Sequence, residues 1–440
     1  MIIGFFEENI TPPPGFPLGG YIERFIANQR AKGKLNDIFV RAMYLRDSSS
    51  EYLLLSADLL LFENTFVAKA RRAISDVTGV PAEHIMLTAT HTHSAPNTAS
   101  EMILFSSFYS EEDMKLTKKY NEEFLLPKLV KVSENAKNEA REGRIFIGRD
   151  EVDSFCTNRI DPILERDKEV IVIIDDRRRG GIVSFTCHPT VLGADNLLYS
   201  GDFISFTNDT LKKCVSSEFI PLFLNGAAGD QSTRFVRRSQ SVEEAKRIGK
   251  ILGRKICEMM DGLEELSVDK IIFKHLNIEL NVRDLEKEKF RERIERRITE
   301  IDELMKKASS EGEKRKLSQD LMTAHLILGC YEGLKRFLKR YGEKVTIPVD
   351  LLAISDDVLM VFLPLELFCR YGLEIKKKSG FKYTIIACYS NGYYGYLPTK
   401  EAFEHFDYES LMSIFTPEAG EKLVREVLLA SSLIRRSSSN

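Results

Sequence analysis

The sequence has no apolar run of the roughly 18 residues needed to cross a bilayer. Its most hydrophobic stretch, residues 52–62 (YLLLSADLLLF), is too short and is interrupted by Asp58. A secretory leader pattern is missing too: Glu7 and Glu8 stand near the start, and no basic stretch precedes a long apolar core. Nor is there an excess of charge of one sign. The chain carries 63 Lys and Arg against 66 Asp and Glu, a formal net charge of −3, which argues against non-specific nucleic-acid binding, with its need for a basic surface, and leaves room for a local basic pocket. Cysteine is sparse, odd in number and scattered, at Cys156, Cys187, Cys214, Cys257, Cys330, Cys369 and Cys388. With no CxxC pair, neither a thiolate zinc site nor a disulfide framework is expected. Free, buried thiols in a reducing cytoplasm are the expectation instead. The sequence also lacks an internal repeat, an evident interdomain linker and the GxSxG turn of many serine hydrolases.

What is present suits a folded globular protein. Hydrophobic residues make up 43% and charged residues 29% of the 440 positions, which excludes a disordered chain. Short apolar runs bounded by Gly, Pro and Asp predict buried strands at 85–90, 170–174, 182–187, 220–224, 358–363 and 383–388. The turn DDRRRGG makes a hairpin of the second and third, with Arg177, Arg178 and Arg179 at a solvated tip. A helix is expected at 65–77, and Ser241-x-x-Glu244 has the form of a capping box opening another. In the charged segment 283–342, Leu285, Phe290, Ile294, Ile298, Ile301 and Met305 recur at helical spacing. A polar loop at 309–316 and a second helix at 317–341 complete a helical hairpin inserted into, or laid against, the body. The tail 435–440 is expected to fray. The fold class is therefore α/β, with layered β-sheets flanked by helices, read as one domain over 1–440.

Chemically capable residues collect where predicted strands end. His91 and His93 form His-x-His directly after 85–90, and His188 follows 182–187. Residues i and i+2 leaving a strand point the same way, so both rings of His-x-His face one cleft. A third imidazole from another strand end suits a zinc site, although hydrogen-bonded core histidines give the same pattern. NGAAGDQS (225–232), Pro364-Leu-Glu366 and YSNGYYGY (389–396) follow the other apolar runs. In open α/β sheets, ligand sites gather outside the carboxyl ends of strands. Five such segments in one chain point to one shared site, with Asp202 and Asp230 as turn or supporting residues.

These blocks resemble the N-terminal catalytic domain of the neutral/alkaline non-lysosomal ceramidases. The resemblance rests on ITPPPGFPLGGY, SADLL (56–60), HTHSAP, TNR (157–159), DKE (167–169), HPT followed by Ser200-Gly-Asp202, NGAAGDQS, Pro-x-Glu and SNGYYGY. The blocks keep the family's order from Ile10 to Tyr408, about nine-tenths of the chain. The resemblance implies a zinc amidase that splits an N-acyl linkage into a carboxylic acid and an amine. It implies Zn2+ held by His91, His188, Glu366 and Tyr396. His93, Arg159 and Tyr408 would line the substrate amide, and Ser232 stands where the family has a serine assigned either as nucleophile or as substrate contact.

Zinc of this kind activates a water molecule and polarises a carbonyl. His93 would carry the proton to the leaving amine, and Tyr408 or Arg159 would donate hydrogen bonds to the oxyanion. Two stretches depart from the family: Ala95–Thr98 in place of a glycine-rich continuation, and Gly229-Asp-Gln-Ser-Thr-Arg234 in place of GDVSPN. With no immunoglobulin-like C-terminal domain expected, these changes favour a more soluble N-acyl substrate than long-chain ceramide. Phe105, Phe108 and Tyr109 are the one evident apolar rim for a lipid. Three alternatives stay open: a zinc hydrolase of a soluble amide or ester unrelated to sphingolipids, a serine hydrolase built on Ser232, and a non-catalytic, metal-stabilised ligand-binding homologue.

Overall fold

The computed structural model describes residues 1–99, 109–405 and 408–438. Three sheets form its body. The first runs, in spatial order, Ile85–Ala89, Glu51–Ala57, Phe39–Arg46, Ile2–Asn9 and Arg141–Glu142. The second runs Ile220–Asn225, Gly180–Phe185, Glu169–Asp175, Ile145–Glu151 and Glu264–Leu266. The third runs Ile272–Asn281, Lys344–Ala353, Val358–Phe362 and Tyr383–Ala387.

Period-two alternation fixes how the sheets stack. Ile3, Phe5, Met43 and Leu54 of the first sheet share one buried cluster with Ile171, Ile173, Ile182 and Leu222 of the second and Leu352, Met360 and Ile385 of the third. The opposite faces carry the helices. Asn64–Thr78 and Leu126–Asn138 cover the first sheet, Phe203–Cys214 and Val242–Met259 the second, and Cys369–Lys378 and Ala419–Ser438 the third. This is the layered α/β architecture expected from the sequence.

Each sheet is antiparallel except for one pair. Glu51–Ala57 with Ile85–Ala89, Gly180–Phe185 with Ile220–Asn225, and Val358–Phe362 with Tyr383–Ala387 are parallel. Parallel neighbours end on the same side, so each sheet presents two carboxyl ends together. The motifs leave from these ends. The edges of the first and third sheets meet there through the Thr88–Ser390 bridge.

Three expectations need correction. Cys214 and Cys257 form a disulfide, with Cα atoms 6.2 Å apart. They sit on helices Phe203–Cys214 and Val242–Met259, whose packing brings together thiols 43 residues apart in sequence. The remaining cysteines are buried and outside any disulfide among the described residues, as expected. Disulfides persist in oxidising surroundings, so the cytoplasmic expectation loses the support it drew from unpaired thiols. The segment 283–342 holds three helices, not a hairpin: Phe290–Lys307, Glu311–Gly329 and Tyr331–Tyr341. The break falls at Gly329 and Cys330, where a glycine makes ending a helix inexpensive. The polar loop is also shorter than expected, because Ser310 caps the second helix through the Glu313 N–H at 3.1 Å. No helix among the described residues is long and apolar enough to cross a membrane.

Candidate active site

The carboxyl ends converge as the motif positions predict. His91 follows Ile85–Ala89 and His188 follows Gly180–Phe185, with ring centroids 4.8 Å apart. Glu366 opens the two-residue strand Glu366–Leu367, which pairs in parallel with Tyr396–Leu397, so that Glu366 lies opposite Tyr396. Gly229 packs against this ladder: a Cβ there would stand 2.5 Å from the Glu366 carbonyl oxygen, which no larger residue permits. A further backbone bridge joins His188 to Ser232.

The two histidines are held alike. The Nδ1–H of His91 donates to the Leu60 carbonyl at 2.7 Å, and that of His188 to the Ala228 carbonyl at 2.6 Å. Those bonds assign the proton to Nδ1 and leave a lone pair on each Nε2. Both lone pairs face the same carboxylate oxygen, Oε2 of Glu366, at 3.4 Å from His91 and 3.1 Å from His188. Burial lowers the pKa of His188 to about 4, keeping its imidazole neutral. Neutral imidazole lone pairs and an ionised carboxylate facing one point repel unless a cation lies between them. The donor set therefore fits a divalent metal of the zinc type, with the other ring nitrogens already tied to backbone carbonyls.

Glu366 is oriented by two tyrosines that sequence reasoning left without a role. The Tyr393 hydroxyl donates to Oε1, and the Tyr389 hydroxyl approaches Oε2 at 3.5 Å. Tyr389 also stacks on His91, with centroids 3.9 Å apart. Backbone strain gathers here. His91, Asp202, Tyr389 and Asn391 all have positive φ, at 68°, 56°, 56° and 60°. Such conformations are costly for His and Tyr and are characteristic of functional sites.

His93 belongs to the same group, since donor atoms of His91, His93 and His188 all lie within 4.8 Å of one another. Its environment is different. Among the described residues, neither ring nitrogen has a hydrogen-bond partner. Burial holds its pKa well below the ordinary value. Its cradle comes from the chain's beginning. Gly20, at φ 95°, brings its backbone so close that a Cβ would stand 2.5 Å from the ring, and the Tyr21 ring packs edge-on at 4.9 Å. The His93 carbonyl accepts from Arg24, a fully buried guanidinium. No local signal marks Arg24 in the sequence, because its partners are carbonyls of distant loops.

The remaining predicted residues form the adjoining wall. Arg159 donates through Nη2 to the Tyr396 hydroxyl at 3.0 Å and forms an ion pair with Glu409 at 2.6 Å. Tyr396 and Tyr408 lie edge to face at 5.8 Å, both near the Arg159 guanidinium. Burial raises both phenols well above their ordinary pKa, although Arg159 opposes the shift. Ser232 Oγ accepts a hydrogen bond from the Arg234 N–H at 3.2 Å and bonds no histidine. Asp202 caps the helix Phe203–Cys214 and accepts from the Leu192 N–H, while Asp230 accepts from the Cys369 N–H and from Asn158. Both carboxylates thus organise turns, as expected. Of the apolar rim, Tyr109 packs on Phe25 at 4.2 Å, whereas Phe105 and Phe108 lie outside the described residues.

No protein-family model and no curated protein matches this sequence. Solved structures do. The neutral ceramidase from Pseudomonas aeruginosa superposes with a TM-score of 0.72 at 17% identity, covering 99% of this chain and 74% of that one. A ceramidase complexed with C2 gives a TM-score of 0.73 at 17% identity, covering 99% and 75%. The chain therefore has the neutral-ceramidase fold over essentially its whole length.

Proposed function

We propose that the chain is a ceramidase-like, zinc-dependent hydrolase of N-acyl linkages, using water to split an amide into a carboxylic acid and an amine. One observation carries this reading: two neutral imidazole lone pairs and a carboxylate oxygen aimed at one point, in a fold shared with neutral ceramidases. His91, His188 and Glu366 would hold the metal. Tyr396, opposite Glu366, would complete the set on giving up its proton, a loss the nearby Arg159 cation favours. Bound there, zinc supplies Lewis acidity toward a carbonyl and an acidified water.

The chain's own residues supply the rest. His93, neutral and without a partner at either nitrogen, takes the proton released by attacking water at a ring nitrogen and returns it to the departing amine. Because its conjugate acid is destabilised by burial, the second transfer is downhill. Arg159, fixed by Glu409, and the Tyr408 hydroxyl present donors to the oxygen that gains charge. Ser232, bonded to backbone and not to a histidine, contacts substrate and is not a nucleophile. Metal analysis of the purified chain, followed by turnover of a panel of N-acyl amines with and without chelator, tests this. Stoichiometric zinc with chelator-sensitive amide hydrolysis supports it. Chelator-insensitive turnover with labelling by a serine-directed phosphonate would replace it with the serine mechanism.

A further inference from the structure

Arginine carries five N–H donors in a fixed fork, so counting spent donors sorts the arginines around the cleft. Arg24 spends its donors on the carbonyls of Ala194, Gly19, His93, Gly193 and Asn196. Arg159 is held by Glu409 and Tyr396. Arg234 and Arg237 are different. Among the described residues each makes one side-chain bond, Arg234 to the Arg159 carbonyl at 3.3 Å and Arg237 to the Thr190 carbonyl at 2.7 Å. Both are half-buried, and among the described residues neither has a carboxylate within ion-pair distance. Burial pulls both guanidinium groups below their ordinary pKa, and the carboxylates farther off, Glu409 and Asp320 toward Arg234 and Asp202 toward Arg237, offset only part of that cost.

Their placement is as telling as their lack of partners. Both lie on the loop that leaves Ser232, whose backbone bridges His188. Arg234 sits on the flank of Arg159 and Glu409, which reaches Tyr396 and Tyr408. Arg237 sits on the flank of Tyr21, whose ring lies against His93. Phe235, 42% exposed, stands between them. Glu23 and Asp320 lie in the same neighbourhood but bond neither arginine. One loop thus delivers a guanidinium with unspent donors to each flank of the catalytic group. A planar fork of this kind matches a carboxylate, and part of the desolvation cost is already met in the free protein.

We propose that Arg234 and Arg237 form an anion-recognising rim, and that the substrate is an N-acyl compound bearing a carboxylate, such as an N-acyl amino acid. This rests on the amide-hydrolase reading and narrows its substrate class away from uncharged ceramide. The test pairs each N-acyl amino acid with its carboxamide isostere, using the zinc-loaded full chain, with the carboxylate placed on the amine half in one series and on the acyl half in another. The expected result is a kcat/KM at least about tenfold higher for the carboxylate form in one series, on the scale of a charge-assisted pair. That ratio falls toward one in the Arg234→Gln, Arg237→Gln double variant, and partly in Arg→Lys variants that keep charge and fold but lose the fork. Equal or better turnover of the carboxamide overturns the inference and leaves the hydrolase reading intact. Binding is measured separately by thermal shift. If no amide is cleaved, tighter binding of the carboxylate form that both Gln substitutions abolish still supports the rim, whereas equal binding of the two forms overturns it.

Discussion

Two regions of the same site treat their polar groups in opposite ways. In the clamp around Glu366, the outer atoms are tied down and only the inward ones are left: His91 and His188 are tied through Nδ1 to carbonyls and Glu366 is held by Tyr393 and Tyr389, so that the two Nε2 lone pairs and Oε2 face one point. In the mouth, His93 has no partner at either nitrogen, and Arg234 and Arg237 keep most of their donors unspent. Burial makes an unspent donor or acceptor costly, so the contrast is informative. The clamp is organised to hold something fixed in place. The mouth is organised for groups that arrive and leave.

That contrast breaks most sharply at the clamp. His188→Ala should remove the metal and lower amide turnover by on the order of 10³-fold or more, since several kcal/mol of Lewis-acid stabilisation are lost with it. Elemental analysis and initial rates read both effects, and full metal content in the variant would show that the clamp is only structural. In the mouth, His93→Ala should lower turnover by roughly 10²–10⁴-fold with zinc content unchanged. Joint loss of metal and activity would make His93 a ligand and dissolve the distinction.

Arg24→Lys probes the scaffold behind the mouth. Replacing a saturated fork with one ammonium leaves buried carbonyls unpaired, so a stability loss of about 3–5 kcal/mol is expected by denaturant titration. Stability within about 1 kcal/mol of the parent chain would mean water readily fills the gap. The smallest effect concerns the clamp's outer support. Tyr393→Phe should weaken zinc affinity by roughly 10–100-fold with kcat restored at saturating metal. Competition with a metallochromic chelator measures the first part. A kcat that stays low would move Tyr393 from supporting Glu366 to acting on substrate.

Much of the clamp was legible in the chain because its residues sit at strand ends. Apolar runs such as IVSFTC and VLMVFL stop abruptly at His188 and just before Glu366, and that abrupt stop is itself the signal. Less legible was anything decided by packing between distant segments. Tyr389 and Tyr393 are visible in SNGYYGY, but which phenol meets Glu366 depends on a turn with positive φ at Tyr389, Asn391 and Gly392. The Cys214–Cys257 pair has no spacing signature, because two helix faces bring it together. Arg24 reads as an ordinary charge at a helix start until the carbonyls at 93 and 193–196 fold around it. The break at Cys330 was signalled by Gly329 and could have been read from the sequence.

The parallel strand pairs carry a consequence for how the protein reaches this state. Each of the three sheets delivers its own share of the site, and the contributing residues run from Arg24 to Glu409. No stretch of a hundred neighbouring residues contains more than a fraction of them. Assembling the centre therefore closes loops hundreds of residues long, and loop-closure entropy is spent before the final contacts return any stability. Chemical competence should be the last property to emerge during refolding, after each sheet has formed its hairpins.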